Sequence, residues 1–153
     1  MGTGTPRRSA GRQRRAALRL CRPRTGTGPA EPSVAPGMTS ALVIGIDPHA
    51  VPGMDGDALR AALDKELARF GEYGIDASMT LIALDESAEA TVVDALSAQA
   101  WDVVVIGGGI RKPEPLLELF EHVVNLVRRH APTAAIAFNT SGGDSVEAAR
   151  RWA

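Results

Sequence analysis

The stretch Trp101-Asp-Val-Val-Val-Ile-Gly-Gly-Gly-Ile-Arg-Lys-Pro-Glu-Pro115 decides the fold. Its uninterrupted β-branched run suits a strand buried on both faces, the usual setting of a parallel strand. Three glycines, two cations and a proline suited to the first turn of a helix follow directly. A strand that ends this way delivers its carboxyl end to a ligand-accessible loop of an α/β sheet.

Working outward, three further apolar runs alternate with helical patterns, which implies βαβ units. The predicted strands are Ala41–Asp47, Asp76–Leu84, Trp101–Gly107 and Ala134–Thr140. A first helix is expected from about Asp57, its N-cap, to Tyr73, with Leu59, Leu63, Leu67 and Phe70 as its buried stripe and Gly74 as a left-handed stop. A second runs from Ser87 to Gln99 and buries Val92, Val93 and Leu96. A third opens at Pro115, buries Leu116, Leu119, Phe120, Val123 and Val127, and ends in Arg128-Arg129-His130 before Pro132. The last runs from Asp144 to the terminus, with Asp144 and Glu147 at capping-box spacing and Val146, Ala149 and Trp152 facing the sheet. Right-handed crossovers then favour strand order 2-1-3-4 in a four-stranded parallel sheet within a three-layer αβα sandwich. Four strands are few for this architecture. Strand four or the last helix should therefore be partly exposed, which leaves room for a homodimer.

Charge divides the chain in two. Residues 1–37 hold eight arginines against Glu31, a formal +7, whereas residues 38–153 hold nine Lys/Arg against 17 Asp/Glu, a formal −8. The basic segment has the composition of disorder. It reads as translated upstream sequence with Met38 as the true start, as a transit peptide, or as a nucleic-acid-binding arm. Residues 38–153 read as one α/β domain whose acidic surface repels nucleic acid and anionic membrane. No apolar run reaches spanning length, and the single cysteine, Cys21, lies in the basic segment, which suits a reducing cytoplasm.

In an open α/β sheet the ligand crevice lies where strand order reverses, here between strands one and three. The loop from Asp47 to Gly56 and the loop from Gly107 to Glu114 line it, with Asn139, Thr140 and Ser141 next door. Gly107, Gly108 and Gly109 either receive an anion on their amides or merely provide a tight strand exit needing positive φ. Arg111 and Lys112 favour the first reading, because two cations ahead of a helix oppose its macrodipole unless something negative binds. Asp47, His49, Asp55 and Asp57 include a metal-ligand chemistry, but a strand end, a turn, a cap and a surface imidazole account for them, and no metal site is assigned. His122 is expected to meet Glu118 one turn away, and Trp101 to pack at a strand start.

Asp47-Pro-His49 resembles the D-x-H-x-x-G signature of cobalamin-binding domains out of register, since Pro52 occupies the glycine position. Trp101 to Ser141 resembles the third and fourth βα units of receiver domains. The phospho-acceptor position holds Gly107 or Gly108 and the chain ends before a fifth strand, so the resemblance does not imply phosphorelay. Residues 40–153, with Gly-Ile-Asp-Pro (45–48), Val-Val-Ile-Gly-x-Gly (104–109) and Phe-Asn-Thr (138–140), resemble a family of small bacterial flavodoxin-like or Rossmann-like proteins. That resemblance implies a fold and a bacterial cytoplasm; it implies no activity, and any cofactor is unknown.

Three functions are compatible with these residues. The first is binding of an anionic or phosphorylated small molecule by Asp47, His49, Gly107, Gly108, Gly109, Arg111, Lys112, Asn139 and Thr140. The second is a small hydrolase or isomerase with Asp47 or His49 as general base and Arg111 as electrostatic stabiliser. The third is a receiver-like module that works through a dimer face on the third or fourth helix.

Overall fold

The computed structural model describes residues 37–153. The basic segment up to residue 36, with Cys21, lies outside the described residues. Four parallel strands form one sheet: β1 (Thr39–Ile46), β2 (Ile75–Ile82), β3 (Val103–Ile106) and β4 (Ala135–Phe138), in the order β2-β1-β3-β4. Helices α1 (Gly56–Glu72), α2 (Ala88–Ser97), α3 (Gly108–Arg111), α4 (Leu117–His130) and α5 (Ser145–Arg150) connect or follow them. The result is a flavodoxin-like three-layer sandwich with the strand order that handedness predicts.

Alternation along the strands sorts the core into two layers. Leu42, Ile44, Val104 and Ile106 point to the α2/α4 face, where Val92, Leu96, Val123, Leu126 and Val127 close over them. Ala41, Val43, Val103, Val105 and Ala137 point to the other face, under Phe70 of α1 and Val146, Ala148 and Ala149 of α5. At the amino end, Asp102 accepts from both the amide and the hydroxyl of buried Ser40, stapling β3 to β1.

Register shapes the carboxyl end. Ile44 pairs with Ile106 and Ile46 with Ile82, so β1 and β2 run two residues beyond the end of β3. The Gly107 amide donates to the Ile44 carbonyl at 2.8 Å and turns the chain out beside this step. The notch between the strands of unequal length is the crevice expected from strand order.

Several local expectations change. Asp55, not Asp57, caps α1 and accepts from the Ala58 amide at 3.1 Å; Gly74, at φ +69°, does follow the helix end. The glycine triplet is not a left-handed loop: Gly107 has φ −68° and Gly108 opens a single helical turn. A 3-10 turn over Glu114–Leu116 precedes α4, which therefore begins two residues after Pro115. Asp144 makes no cap for α5. Its place is taken by Glu66 of α1, whose Oε1 accepts from the Val146 amide at 3.1 Å, while Glu147 pairs with Arg69. The helix stops at Arg150, leaving Trp152 61 % exposed instead of on the sheet. His122 bonds Glu89 of α2 at 3.0 Å, not Glu118, because α4 packs directly on α2. Trp101 is buried at the start of β3, its indole N–H donating to the Ala95 carbonyl.

Candidate functional site

At the carboxyl ends of the strands, on the α1/α5 face, lies a cavity of about 450 Å³. Its floor is Val43 and Gly45 of β1 with Met79 and Leu81 of β2, and its roof is Leu59 and Leu63 of α1. Gly107, Gly108 and Gly109 form one end wall; Asn139, Gly142 and Ser145 form the next. Val51, Met54 and Leu84 lie at the rim, and the last two are large exposed apolar side chains. The expected stripe of α1 explains the space. Phe70 is fully packed, but Leu59 and Leu63 are only half-buried, since the first two turns of the helix stand above the cavity.

The lining is hydrocarbon with two polar side chains, Asn139 and Ser145, both buried. Asn139 is fixed by its neighbours: Oδ1 accepts from the Gly108 amide at 2.7 Å and Nδ2 donates to Ser145 Oγ at 2.9 Å. The Ser145 oxygen is thus used as an acceptor, which leaves its proton available to a group in the cavity. Such a wall, mostly apolar with a few fixed polar atoms, is how small-molecule sites are built.

Of the residues singled out from sequence, Gly107, Gly108, Gly109 and Asn139 line the cavity, while Asp47, His49, Arg111, Lys112 and Thr140 stand outside its wall. The glycines have packing reasons to be glycine. A Cβ on Gly107 would sit 3.1 Å from the Ile44 carbonyl oxygen, and one on Gly108 would sit 3.3 Å from Lys112 Cε. Two of the three amides already donate within the protein, to Ile44 and Asn139. The two cations hold down the chain after β4. Arg111 Nη2 donates to the Asn139 carbonyl at 2.6 Å, its guanidinium lies 5.9 Å from the Phe138 ring centre, and its Nε is buried without a partner among the described residues. Lys112 Nζ donates to the exposed Thr140 carbonyl.

The acids of the first loop each have a local task. Asp47 accepts from the His49 amide at 3.0 Å, Asp55 caps α1, and Asp57 lies 3.5 Å from His49 Nε2. The His49 ring occupies the space that a Cβ on Gly56 would need. Among the described residues no three His, Cys, Asp or Glu side chains converge to hold a metal ion. Thr140 and Ser141 hold Asp144: the Thr140 amide and hydroxyl and the Ser141 amide all donate to its carboxylate. Burial raises the pKa of this carboxyl, but the donated hydrogen bonds outweigh it and the net shift is downward.

Sequence reasoning missed the apolar half of the site and the group that frames it. Glu66 is 4 % exposed and joins Val146 to Arg69, whose guanidinium also reaches the Gly143 carbonyl and Glu147. Arg69 is held fully charged, chiefly by Glu147 and then by Glu66, and Glu147 is pushed down in return. A signal existed: Glu66 falls on the line of Leu59, Leu63 and Phe70, and an acid on an apolar stripe needs a buried partner. No helix among the described residues is long and apolar enough to cross a membrane. No protein-family model matches the chain, and no curated protein matches it.

Proposed function

We propose that this domain binds one small molecule with an apolar body and a single acceptor-bearing, anionic end in the crevice at the carboxyl ends of β1 and β3. The observation that supports the reading is the cavity itself. It has the volume of a small-molecule site, lies at the reversal of strand order, and combines a leucine and methionine wall with one uncommitted hydroxyl proton, on Ser145. The body of the ligand rests between Leu59 and Leu63 above and Met79 and Leu81 below. Its acceptor end meets Ser145 beside Asn139. Lys112, whose stem passes over Gly108, supplies the neutralising charge by leaving the Thr140 carbonyl, an exposed partner that water replaces. A phosphorylated sugar or nucleotide suits this wall less well, since its polar surface would have to give up water against hydrocarbon. Kinship with small bacterial flavodoxin-like proteins belongs to the same proposal and rests on residues 45–48, 104–109 and 138–140.

A thermal-shift panel of medium-chain and aromatic monocarboxylates, their neutral amides, sugar phosphates and nucleotides tests it. A carboxylate at a hundred times its dissociation constant adds about 2.7 kcal/mol, a rise of roughly 10 °C for a domain of this size. Leu63→Asp should abolish that shift, and Lys112→Ala should reduce it for the acids but not for the amides. Stabilisation by phosphates alone, or by nothing in the panel, overturns the reading.

A further inference from the structure

The flank of α4 that faces away from α2 carries exposed Leu117 with Phe120 and Val124, both half-buried against the core, beside β4, whose outer edge pairs with no strand. Phe120 meets Phe138 edge-on, with ring centres 5.8 Å apart, and Leu117 and Phe138 are 53 % and 38 % exposed. An apolar strip along a short open strand edge is the kind of surface that proteins cover. The charges bordering it indicate what covers it. Glu121 and Arg128 are seven residues apart, two helical turns, and so stand on one line along the helix with Val124 between them. Both are exposed, and neither forms an ion pair among the described residues. Turning such a helix by 180° about an axis near Val124 exchanges the two positions, so acid meets base twice. That is the self-complementarity of a two-fold interface.

We infer that a second copy of this chain covers the strip, with the two α4 helices antiparallel about a two-fold axis near Val124, each Glu121 against Arg128 of the other copy. Leu117, Phe120 and Phe138 form the apolar part of the contact. The cavity is roofed by α1 and touches the α4 side only through Pro113 and Leu116, ahead of the helix, and the inference does not depend on the ligand reading.

Light-scattering mass measurement and sedimentation equilibrium on the full chain provide the test. The wild type should show twice the 16.0 kDa chain mass at micromolar concentration. Glu121→Arg and Arg128→Glu each place like charges opposite one another twice. Each should raise the dimer dissociation constant about tenfold or more, with unchanged circular dichroism. The double exchange, Glu121→Arg with Arg128→Glu, restores the pairs in reversed sense and should bring the constant back to within about threefold of wild type. A wild type that stays monomeric up to about 0.5 mM overturns the inference. So does a dimer that both single variants leave unchanged, or one that the double exchange fails to rescue.

Discussion

On the α2/α4 face, Leu42, Ile44, Val104 and Ile106 lie beneath Val92, Leu96, Val123 and Leu126, and every one of them is essentially sealed from water. On the α1/α5 face the same sheet offers Ala41, Val43, Val105 and Ala137 to Phe70 and to a six-residue helix, and the carboxyl end of that face is left open. The two faces differ in what the helices bring. Helix α4 is long and meets the sheet with branched aliphatics; α5 is short and contributes Val146 and two alanines. The first two turns of α1 project past the packed region and cover a space instead of filling one. Stability is concentrated on one side of the sheet and ligand capacity on the other.

Truncation should expose that division most strongly. Leu126→Ala empties a site with 2 % exposure and should cost about 3 kcal/mol in urea unfolding, whereas Leu63→Ala, on the cavity roof, should cost less than about 1 kcal/mol. Equal losses would mean that the cavity is filled in solution and that the two faces are alike. Next in size is Glu66. Its removal leaves the Val146 amide without an acceptor inside the protein and takes from Arg69 one of the two carboxylates that hold its guanidinium, so Glu66→Ala should cost about 2 kcal/mol. Glu66→Gln, which can still accept from that amide, should cost less. If alanine and glutamine are equally harmless, α5 is held by its apolar contacts alone.

The well-packed face is also the one that could be read in the sequence. The strand order follows from four apolar runs and the handedness of crossovers, and Val123 and Val127 of the α4 stripe follow from helical period, although Leu126, equally buried, is not part of the predicted stripe. What could not be read is decided by partners far away in the chain. The Gly108 amide is taken by Asn139, 31 residues on, so the apparent anion cradle is partly spent on the protein itself. Asp55 is the cap of α1, while Asp57 lies beside His49, whose ring fills the space next to Gly56. The α5 capping box fails because Arg69, on another helix, draws Glu147 away and Thr140 and Ser141 draw Asp144 back. A local motif predicts a local bond only when no tertiary partner outbids it. The cavity, too, was legible in position but not in chemistry: glycines and cations in the loop pointed to charge, while the wall is set by α1 and β2, which nothing near that loop reveals.

The turn after β4 gives a smaller effect with a defined pH sense. Asp144 titrates below an ordinary aspartate in the folded protein because Thr140 and Ser141 donate to its charged form. A depressed folded value means that its contribution is complete above the unfolded pKa, near 4, and is lost as pH falls through the folded value. The urea midpoint of the wild type should therefore drop on acidification below about pH 4. Asp144→Asn should lower the midpoint at pH 6 and flatten the decline. A variant with an unchanged slope would show that other carboxylates carry the acid sensitivity.

The smallest energetic effect is the sharpest probe of the two faces, because its sign differs between them. Adding volume at Leu126 forces atoms into a filled layer, and Leu126→Phe should destabilise by about 1–3 kcal/mol. The same replacement at Leu81, on the cavity floor beside Gly45, places a ring in unoccupied space and buries additional hydrocarbon. Leu81→Phe should therefore be neutral or stabilising by up to about 1 kcal/mol. In the same protein, any stabilisation by an apolar carboxylate should fall, since the ring and the ligand compete for one volume. A Leu81→Phe protein that is destabilised as much as Leu126→Phe would show that α1 closes onto the sheet in solution, and the contrast between the faces would disappear with the cavity.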